Sequence, residues 1–307
     1  MRLAHFGVRS GALRAVALVA LGAAGLSAHA QEARQGEGPP GDDVLRVCAD
    51  PNNLPQSNRN GEGYENKIAE RLAKDLGRRL EYTYFPQRIG FVRNTLRAVD
   101  ERTRRYKCDV IIGVPKGYEL TATTRPYMRS TYAILFRERE DLRSLQTADD
   151  LLKLPPQTRQ SLRIGVFTQS PGADWLLKHG LLRQAVFYQA QSGDPAVHPA
   201  SVIGQDLAKG AIDVAIVWGP VAGYLTRHHA EGQRWVAVPF LPNPEIKFDY
   251  EISMGVRHGE KAWRDTLDGW IASHTAEIEE ILTSYGIPLL DSNGRITQTV
   301  RNQQSSK

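Results

Sequence analysis

The sequence has little cysteine and lacks the common motifs of enzymes, and these two features exclude several classes of catalytic and metal site. Only two cysteines, Cys48 and Cys108, occur among the 307 residues. They are too far apart for a C-x-x-C redox pair or a c-type haem motif, and too few for a four-cysteine zinc site. The signatures G-x-S-x-G, H-E-x-x-H and G-x-x-x-x-G-K are also missing. We therefore expect no catalytic residues, no metal and no cofactor.

Long apolar runs are also scarce, and the one at the N-terminus is short. Residues 15–26 (AVALVALGAAGL) follow Arg2, Arg9 and Arg14, and residues 28–30 (AHA) come shortly after them. A basic start, an apolar centre and an A-x-A site are typical of a secretory signal peptide. A membrane-spanning helix needs about 20 apolar residues, so we predict no membrane span. The expectation is a signal peptide over 1–30, cleavage after Ala30 and a periplasmic protein.

The chain that follows the signal peptide carries little net charge. The whole sequence has 39 basic and 34 acidic residues, and removing the three signal-peptide arginines leaves 36 against 34. A nearly balanced charge gives no support for a nucleic-acid partner. Residues 31–43 are polar and rich in Gly and Pro, which predicts a disordered leader. About 260 residues remain, which is more than one hydrophobic core usually holds, so two lobes are expected.

Strand and helix patterns alternate along the rest of the sequence. Ile68, Leu72 and Leu76 recur every four residues before Gly77, which predicts an amphipathic helix and its C-terminal cap. In the first half, strands are predicted at 44–49, 80–85 and 108–114, and helices at 65–76 and 91–99. In the second half, strands are predicted at 162–167, 212–217 and 235–240, and helices at 173–178 and 201–209. A final strand at 250–256 precedes helices at 260–272 and 275–285.

This alternation predicts an α/β fold with two doubly wound lobes joined by two hinge crossings. We assign 44–135 plus 250–301 to lobe 1 and 138–246 to lobe 2. Ligands of such sheets bind at the carboxyl ends of the strands, which places the expected site in the cleft between the lobes.

Several motifs resemble one known family over about residues 44–290. They are RVCADPNNLPQSN (46–58), GYENKIAERLAKDLG (63–77), PQRIGFVRNTLRA (86–98), CDVIIGVPKGYE (108–119), TTRPYMRSTY (123–132) and VWGPVAGY (217–224). They are similar to type II periplasmic solute-binding proteins, in particular the quinoprotein-dehydrogenase-associated branch that includes the methanol-oxidation J proteins MxaJ and XoxJ.

The resemblance implies a periplasmic accessory protein, not an enzyme and not an importer. Its expected partners are a PQQ-dependent methanol or alcohol dehydrogenase and its c-type cytochrome. The residues do not separate the calcium-type from the lanthanide-type system, and we favour the lanthanide type. The alternative is the solute receptor of an ABC transporter for a small ligand that is not an amino acid.

The resemblance also implies how an amino acid would be held. An arginine would clamp the carboxylate, and an acidic residue at the end of a second-lobe strand would take the ammonium group. Trp218 stands at that strand end, and residues 121–125 match the arginine motif only in part. Burying an ammonium group without a partner costs roughly several kcal/mol of binding free energy. Amino-acid binding is therefore disfavoured.

The loops at the strand ends supply the candidate cleft residues. They are Asp50, Asn52, Arg88, Phe91, Arg125, Tyr127, Thr168, Ser170 and Trp218. Arginine and aromatic residues dominate binding hot spots, so this set could hold a partner segment. The alternative for 121–132 is a structural role at the hinge, with Arg129 paired to a carboxylate and Tyr132 packed.

The sequence is compatible with two states of the cysteines, free thiols or a disulfide. If their strands pair in register, Cys48 and Cys108 are about four residues apart along the sheet, or roughly 13 Å. That exceeds the reach of a disulfide, and both would then be buried thiols. An oxidising compartment, however, favours a bridge between them.

Overall fold

The computed structural model describes residues 43–190, 197–229 and 232–297, all of which belong to one compact unit, Glu37–Lys307. The predicted signal peptide and almost all of the predicted leader lie outside the described residues. None of the described helices combines the length and the apolar character that a membrane span requires.

Strands and helices alternate through these ranges. The strands are β1 (Val44–Ala49), β2 (Asn52–Asn53), β3 (Ser57–Asn58), β4 (Arg79–Tyr84), β5 (Val110–Pro115), β6 (Ala122–Arg137), β7 (Ile164–Phe167), β8 (Ala185–Tyr188), β9 (Val214–Trp218), β10 (Trp235–Pro239) and β11 (Asp249–Val256). The helices are α1 (Tyr64–Asp75), α2 (Phe91–Asn94), α3 (Pro156–Ser161), α4 (Pro171–Lys178), α5 (Pro199–Lys209), α6 (Gly219–Leu225), α7 (Lys261–Ser273) and α8 (Thr275–Ser284).

One sheet runs through the molecule, in the order β4-β1-β5-β11-β6-β9-β7-β8, and β10 also pairs with β6. Strands β4, β1 and β5 are parallel, as are β8, β7 and β9. Strand β11 is antiparallel to both β5 and β6. The sheet therefore has two largely parallel halves that meet at β6.

Strand β6 connects the two halves without a break. Residues 122–131 pair with β11, whereas residues 132–137 pair with β9 and β10. The chain returns beside this point, because the Tyr132 N–H donates to the Phe248 carbonyl and the Phe240 N–H donates to the Tyr132 carbonyl, at 3.1 and 2.9 Å. The stretch TATTRPYMRSTY is thus mostly one strand, and the two crossings lie side by side.

Apolar residues cover both faces of each half of the sheet. In the first half, buried side chains of α1, α7 and α8 form the larger core, among them Leu72, Trp263 and Leu282. In the second half, α4 packs Trp175 on one face, and α5 and α6 pack on the other. Helices on both faces explain why the central strands read as nearly continuous apolar runs.

A disulfide joins Cys48 and Cys108, whose Cα atoms are 5.4 Å apart, so the separation estimated from strand register is wrong. The strand begins only at Val110. Just before it, the Lys107 carbonyl accepts a hydrogen bond from Thr83 Oγ1 on β4, the strand on the far side of β1. The chain therefore crosses the face of β1 at Cys108, which brings the two sulfur atoms together.

One further prediction needs correction. The helix predicted for 91–99 ends at Asn94, where the buried Thr95 hydroxyl donates to the Phe91 carbonyl and the backbone leaves helical geometry. Strand β8 and helix α6 were not predicted, because each is short and α6 follows β9 directly. The lobe boundaries assigned above stay a prediction.

Candidate functional site

Two loops at the carboxyl ends of β1 and β4 form one rim. The Asp50 carboxylate accepts the backbone N–H groups of Asn52 at 2.8 Å and Gln87 at 2.5 Å. The Ser57 hydroxyl donates to the Asp50 carbonyl at 3.0 Å. The half-buried Arg88 follows Gln87, so the structure brings Asp50, Asn52 and Arg88 together. Asp50 holds the two loops in place through these bonds.

The same rim contacts the second half of the molecule through the β2–β3 hairpin. Asn53 Oδ1 lies 2.8 Å from His198 Nε2, and Asn53 Nδ2 donates to Gln87 Oε1 at 2.9 Å. Burial lowers the pKa of His198, and the Asp50 charge opposes that shift only in part. His198 is therefore neutral at pH 7. The sequence carried no signal for this contact.

A cavity of about 190 Å³ lies beside this contact. Its lining combines the hairpin with α5 and α6: Asn52, Leu54, His198, Ala200, Ser201, Val221, Tyr224 and Leu225. Apart from the neutral histidine, these side chains include no ionisable group other than a tyrosine.

Trp218 ends β9 beside the two crossings. Its ring centroid is 5.5 Å from that of Tyr132 and 5.8 Å from that of Tyr250. Burial, together with the neighbouring Tyr250, raises the pKa of Tyr132 to about 12, so its phenol is neutral. This aromatic cluster occupies the strand end where the amino-acid site would need a carboxylate. Sequence reasoning missed Tyr250, the second residue of the return strand β11.

Arg129 has a structural role at the crossing. Its guanidinium donates to Asp249 Oδ2 at 2.7 and 2.9 Å, and also to the carbonyls of Asp291 and Ser292. Since Tyr132 packs against Trp218, the hinge-bracing alternative describes both Arg129 and Tyr132.

Two predicted cleft residues lie in the cores, and two others have backbone-capping or loop roles at the end of β7. Phe91 and Tyr127 are each 8% exposed and belong to the cores, so their placement on the rim is corrected. The buried Ser170 caps α4 because its hydroxyl accepts the Ala173 N–H, and the same hydroxyl donates to the Phe167 carbonyl at 2.7 Å. Thr168 is half-buried, and its N–H donates to the Tyr188 carbonyl.

Arg125 also lies away from this rim. Its side chain is exposed, and its backbone N–H donates to Asp268 of α7 at 2.5 Å. Helix α7 packs on the sheet face that carries the larger core. We therefore treat Arg125 as a surface residue outside the candidate site.

A buried carboxyl group, Glu65, lies below the Asp50 loop and was not predicted. Glu65 is 8% exposed, and a Cβ atom at Gly113 would lie 2.1 Å from its Oε1. Burial raises the pKa of Glu65 to about 8, and the charge of Asp50 adds to the shift. The Tyr127 hydroxyl nearby is buried and lacks a hydrogen-bond partner among the described residues. No group of three or more potential metal ligands occurs in the described part of the chain.

Comparison with known proteins identifies the family. No protein-family model matches the chain. The crystal structure of the periplasmic binding protein XoxJ from Methylobacterium extorquens AM1 is 35% identical in sequence, with a TM-score of 0.64. The match covers 81% of this chain and 100% of XoxJ. The chain belongs to the methanol-oxidation J family of periplasmic binding proteins.

Curated J-family relatives agree with this assignment. Protein MoxJ of Paracoccus denitrificans is 28% identical over 261 residues, which are 81% of this chain and 90% of MoxJ. MoxJ of Methylorubrum extorquens is 26% identical over 260 residues, which are 80% of this chain and 82% of MoxJ.

The J-family match confirms two predictions. The fold is that of a type II periplasmic binding protein, with two α/β lobes joined by two crossings. The resemblance drawn from the sequence motifs is also confirmed. This J-family protein is thus a periplasmic binding protein associated with methanol oxidation.

Proposed function

We propose that the protein is a non-enzymatic accessory of a PQQ-dependent methanol or alcohol dehydrogenase. It binds a segment of the dehydrogenase or of its c-type cytochrome, or assists maturation of the dehydrogenase, through the cleft between the lobes. The lanthanide-type system is the favoured partner. The proposal includes cleavage after Ala30 and lobes of 44–135 plus 250–301 and 138–246.

The aromatic cluster around Trp218 is the observation that carries this proposal. A cleft that held a free amino acid would need a negative charge at the end of β9. Trp218 there packs against Tyr132 and Tyr250, which are both neutral. Aromatic side chains are enriched at protein–protein interfaces, so this cluster suits the side chains of a protein segment, whereas the end of β9 offers no carboxylate to a free ammonium group.

The rim around Arg88 supports a protein partner. Ile89 is 90% exposed, next to the half-buried Arg88. Arginine is enriched in binding hot spots, and an exposed apolar side chain beside it offers surface that a partner can bury. Asp50 holds this loop through the Gln87 N–H, and a loop that is already ordered loses less entropy on binding.

Direct binding measurements test the proposal. Purified dehydrogenase and purified cytochrome are each titrated against the protein, with Arg88→Ala and Ile89→Ser as variants. Loss of a hot-spot residue should weaken binding about tenfold or more. Arg125→Ala, which removes an exposed arginine away from this rim, is the matched control. The proposal fails if neither protein binds, or if Arg88→Ala behaves like Arg125→Ala.

The cavity of about 190 Å³ between the hairpin, α5 and α6 favours a second candidate, a receptor for a small solute. Its lining contains no charged side chain, so an uncharged ligand would suit it. A ligand present at 100 times its dissociation constant raises the free energy of unfolding by about 2.7 kcal/mol. A thermal-shift screen of uncharged metabolites that gives no such stabilisation argues against this candidate.

A further inference from the structure

A second cavity, of about 490 Å³, lies on the cleft side of the return crossing. It contains none of the residues of the Arg88 rim. Its lining comes from the end of β5, from β6, from the residue Lys247 before β11 and from the start of β11. The lining residues are Pro115, Lys116, Arg129, Lys247, Asp249, Tyr250 and Glu251.

The charges in this cavity do not balance. Asp249 forms an ion pair with Arg129 at 2.7 Å, and Glu251 forms one with Lys116 at 3.0 Å. Lys247 is the third cation, and no carboxylate lies within salt-bridge distance of it among the residues that the structure describes. The cavity is therefore left with one positive charge.

The Lys247 ammonium group stands 5.1 Å from the centroid of the Tyr250 ring. The Tyr250 ring is also packed against Trp218 and Tyr132, with ring centroids 5.8 and 6.5 Å away. The cavity thus has a fixed aromatic wall with a cation above it. A ligand with a planar or apolar body and one negative group fits both features.

We infer that this cavity binds a carboxylate group, which pairs with Lys247 while the body of its carrier lies against Tyr250. A carboxylate fits better than a dianion such as phosphate, because one charge remains to be neutralised and Asp249 and Glu251 repel a second. The carboxylate has two possible sources, a free organic acid or an acidic side chain of a bound protein. The second source rests on the function proposed above.

The test for a free acid uses benzoate, which combines a carboxylate with a planar ring. Isothermal titration should detect benzoate binding to the wild-type protein, and binding to Lys247→Ala should be weaker by about fivefold, the scale of one partly exposed ion pair. Lys247→Arg keeps the charge and should restore binding. Benzamide, an uncharged analogue, should bind no better to the wild type than to Lys247→Ala.

The test for a protein carboxylate measures dehydrogenase and cytochrome binding by Lys247→Ala, with Lys209→Ala as a control because Lys209 is exposed at the end of α5. A loss of about fivefold confined to Lys247→Ala supports a protein source. Arg88→Ala tests the rim separately. A failure of the proposed function at the rim is therefore distinguishable from a failure of the carboxylate site in this cavity. The inference is overturned if Lys247→Ala changes neither benzoate binding nor the binding of either protein.

Discussion

Glu65 carries a carboxyl group that the fold keeps protonated near neutral pH. Its pKa rises from 4.5 to about 8, chiefly through burial and then through the charge of Asp50. Between these two values the folded protein holds a proton that the unfolded chain has lost. The stabilisation from the neutral carboxyl is therefore complete below about pH 4.5 and is lost as the pH rises to about 8.

We predict that Glu65→Gln, which keeps a neutral side chain of similar shape, becomes more stable relative to wild type as the pH rises from 6 to 8. The difference in the free energy of unfolding should grow by up to about 1.4 kcal/mol per pH unit. Urea unfolding at several pH values measures it. Glu70→Gln, at an exposed site on the same helix, should not reproduce the trend. A pH-independent difference for Glu65→Gln would mean that the buried carboxyl is already ionised at pH 6.

Helix α6 approaches both β6 and the chain after α8 so closely that only glycine fits at two of its positions. A Cβ atom at Gly219 would lie 2.2 Å from the Thr131 carbonyl oxygen, and one at Gly223 would lie 2.0 Å from that of Gly286. One turn further on, the Arg227 guanidinium donates to the Ser284 carbonyl at 2.6 Å. Helix α6 is therefore packed tightly at Gly219 and Gly223, and the chain just beyond it is held by Arg227.

We predict that Gly223→Ala lowers the free energy of unfolding by about 1–3 kcal/mol, because the backbone of residue 286 must move to admit the methyl group. Gly269→Ala in α7 is the matched control, since no atom lies within 4 Å of its Cβ position. In a helix interior, that change should stabilise by about 0.5–1 kcal/mol. Thermal or urea unfolding compares the two variants. If Gly223→Ala leaves the free energy of unfolding unchanged or raises it, as Gly269→Ala should, the close approach at Gly223 is contradicted.

Local signals in the sequence predicted helices and strands well where no contact with a distant part of the chain decided the outcome. Gly77 ends α1 with a positive φ angle, as its position predicted, and Gly210 ends α5 in the same way. Residues 91–99 have helical spacing, but the buried Thr95 ends the helix early. The unbroken course of β6 and the aromatic cluster around Trp218 depend on strands distant in sequence. No local pattern encodes which of these strands become neighbours.

The disulfide constrains a large part of the molecule. Cys48 and Cys108 are 60 residues apart, and the segment between them contains α1, β4 and α2. Closing a loop of that length removes freedom mainly from the unfolded chain, which the loop-entropy model values at about 4 kcal/mol. The bridge also lies in the small core that packs Phe91 and Leu96 against the sheet. An exported chain meets an oxidising compartment in which such a bond persists.

We predict that the double variant Cys48→Ala/Cys108→Ala folds but loses about 2–5 kcal/mol of its free energy of unfolding. Because both sulfur atoms are buried, part of the loss comes from packing, and reduction of the wild-type protein separates the two contributions. Urea unfolding with and without dithiothreitol should show a large effect of the reductant on wild type and none on the double variant. If reductant leaves the wild-type transition unchanged while mass spectrometry shows free thiols, the bridge does not restrain the unfolded chain. The stability would then come from the packing of the two side chains alone.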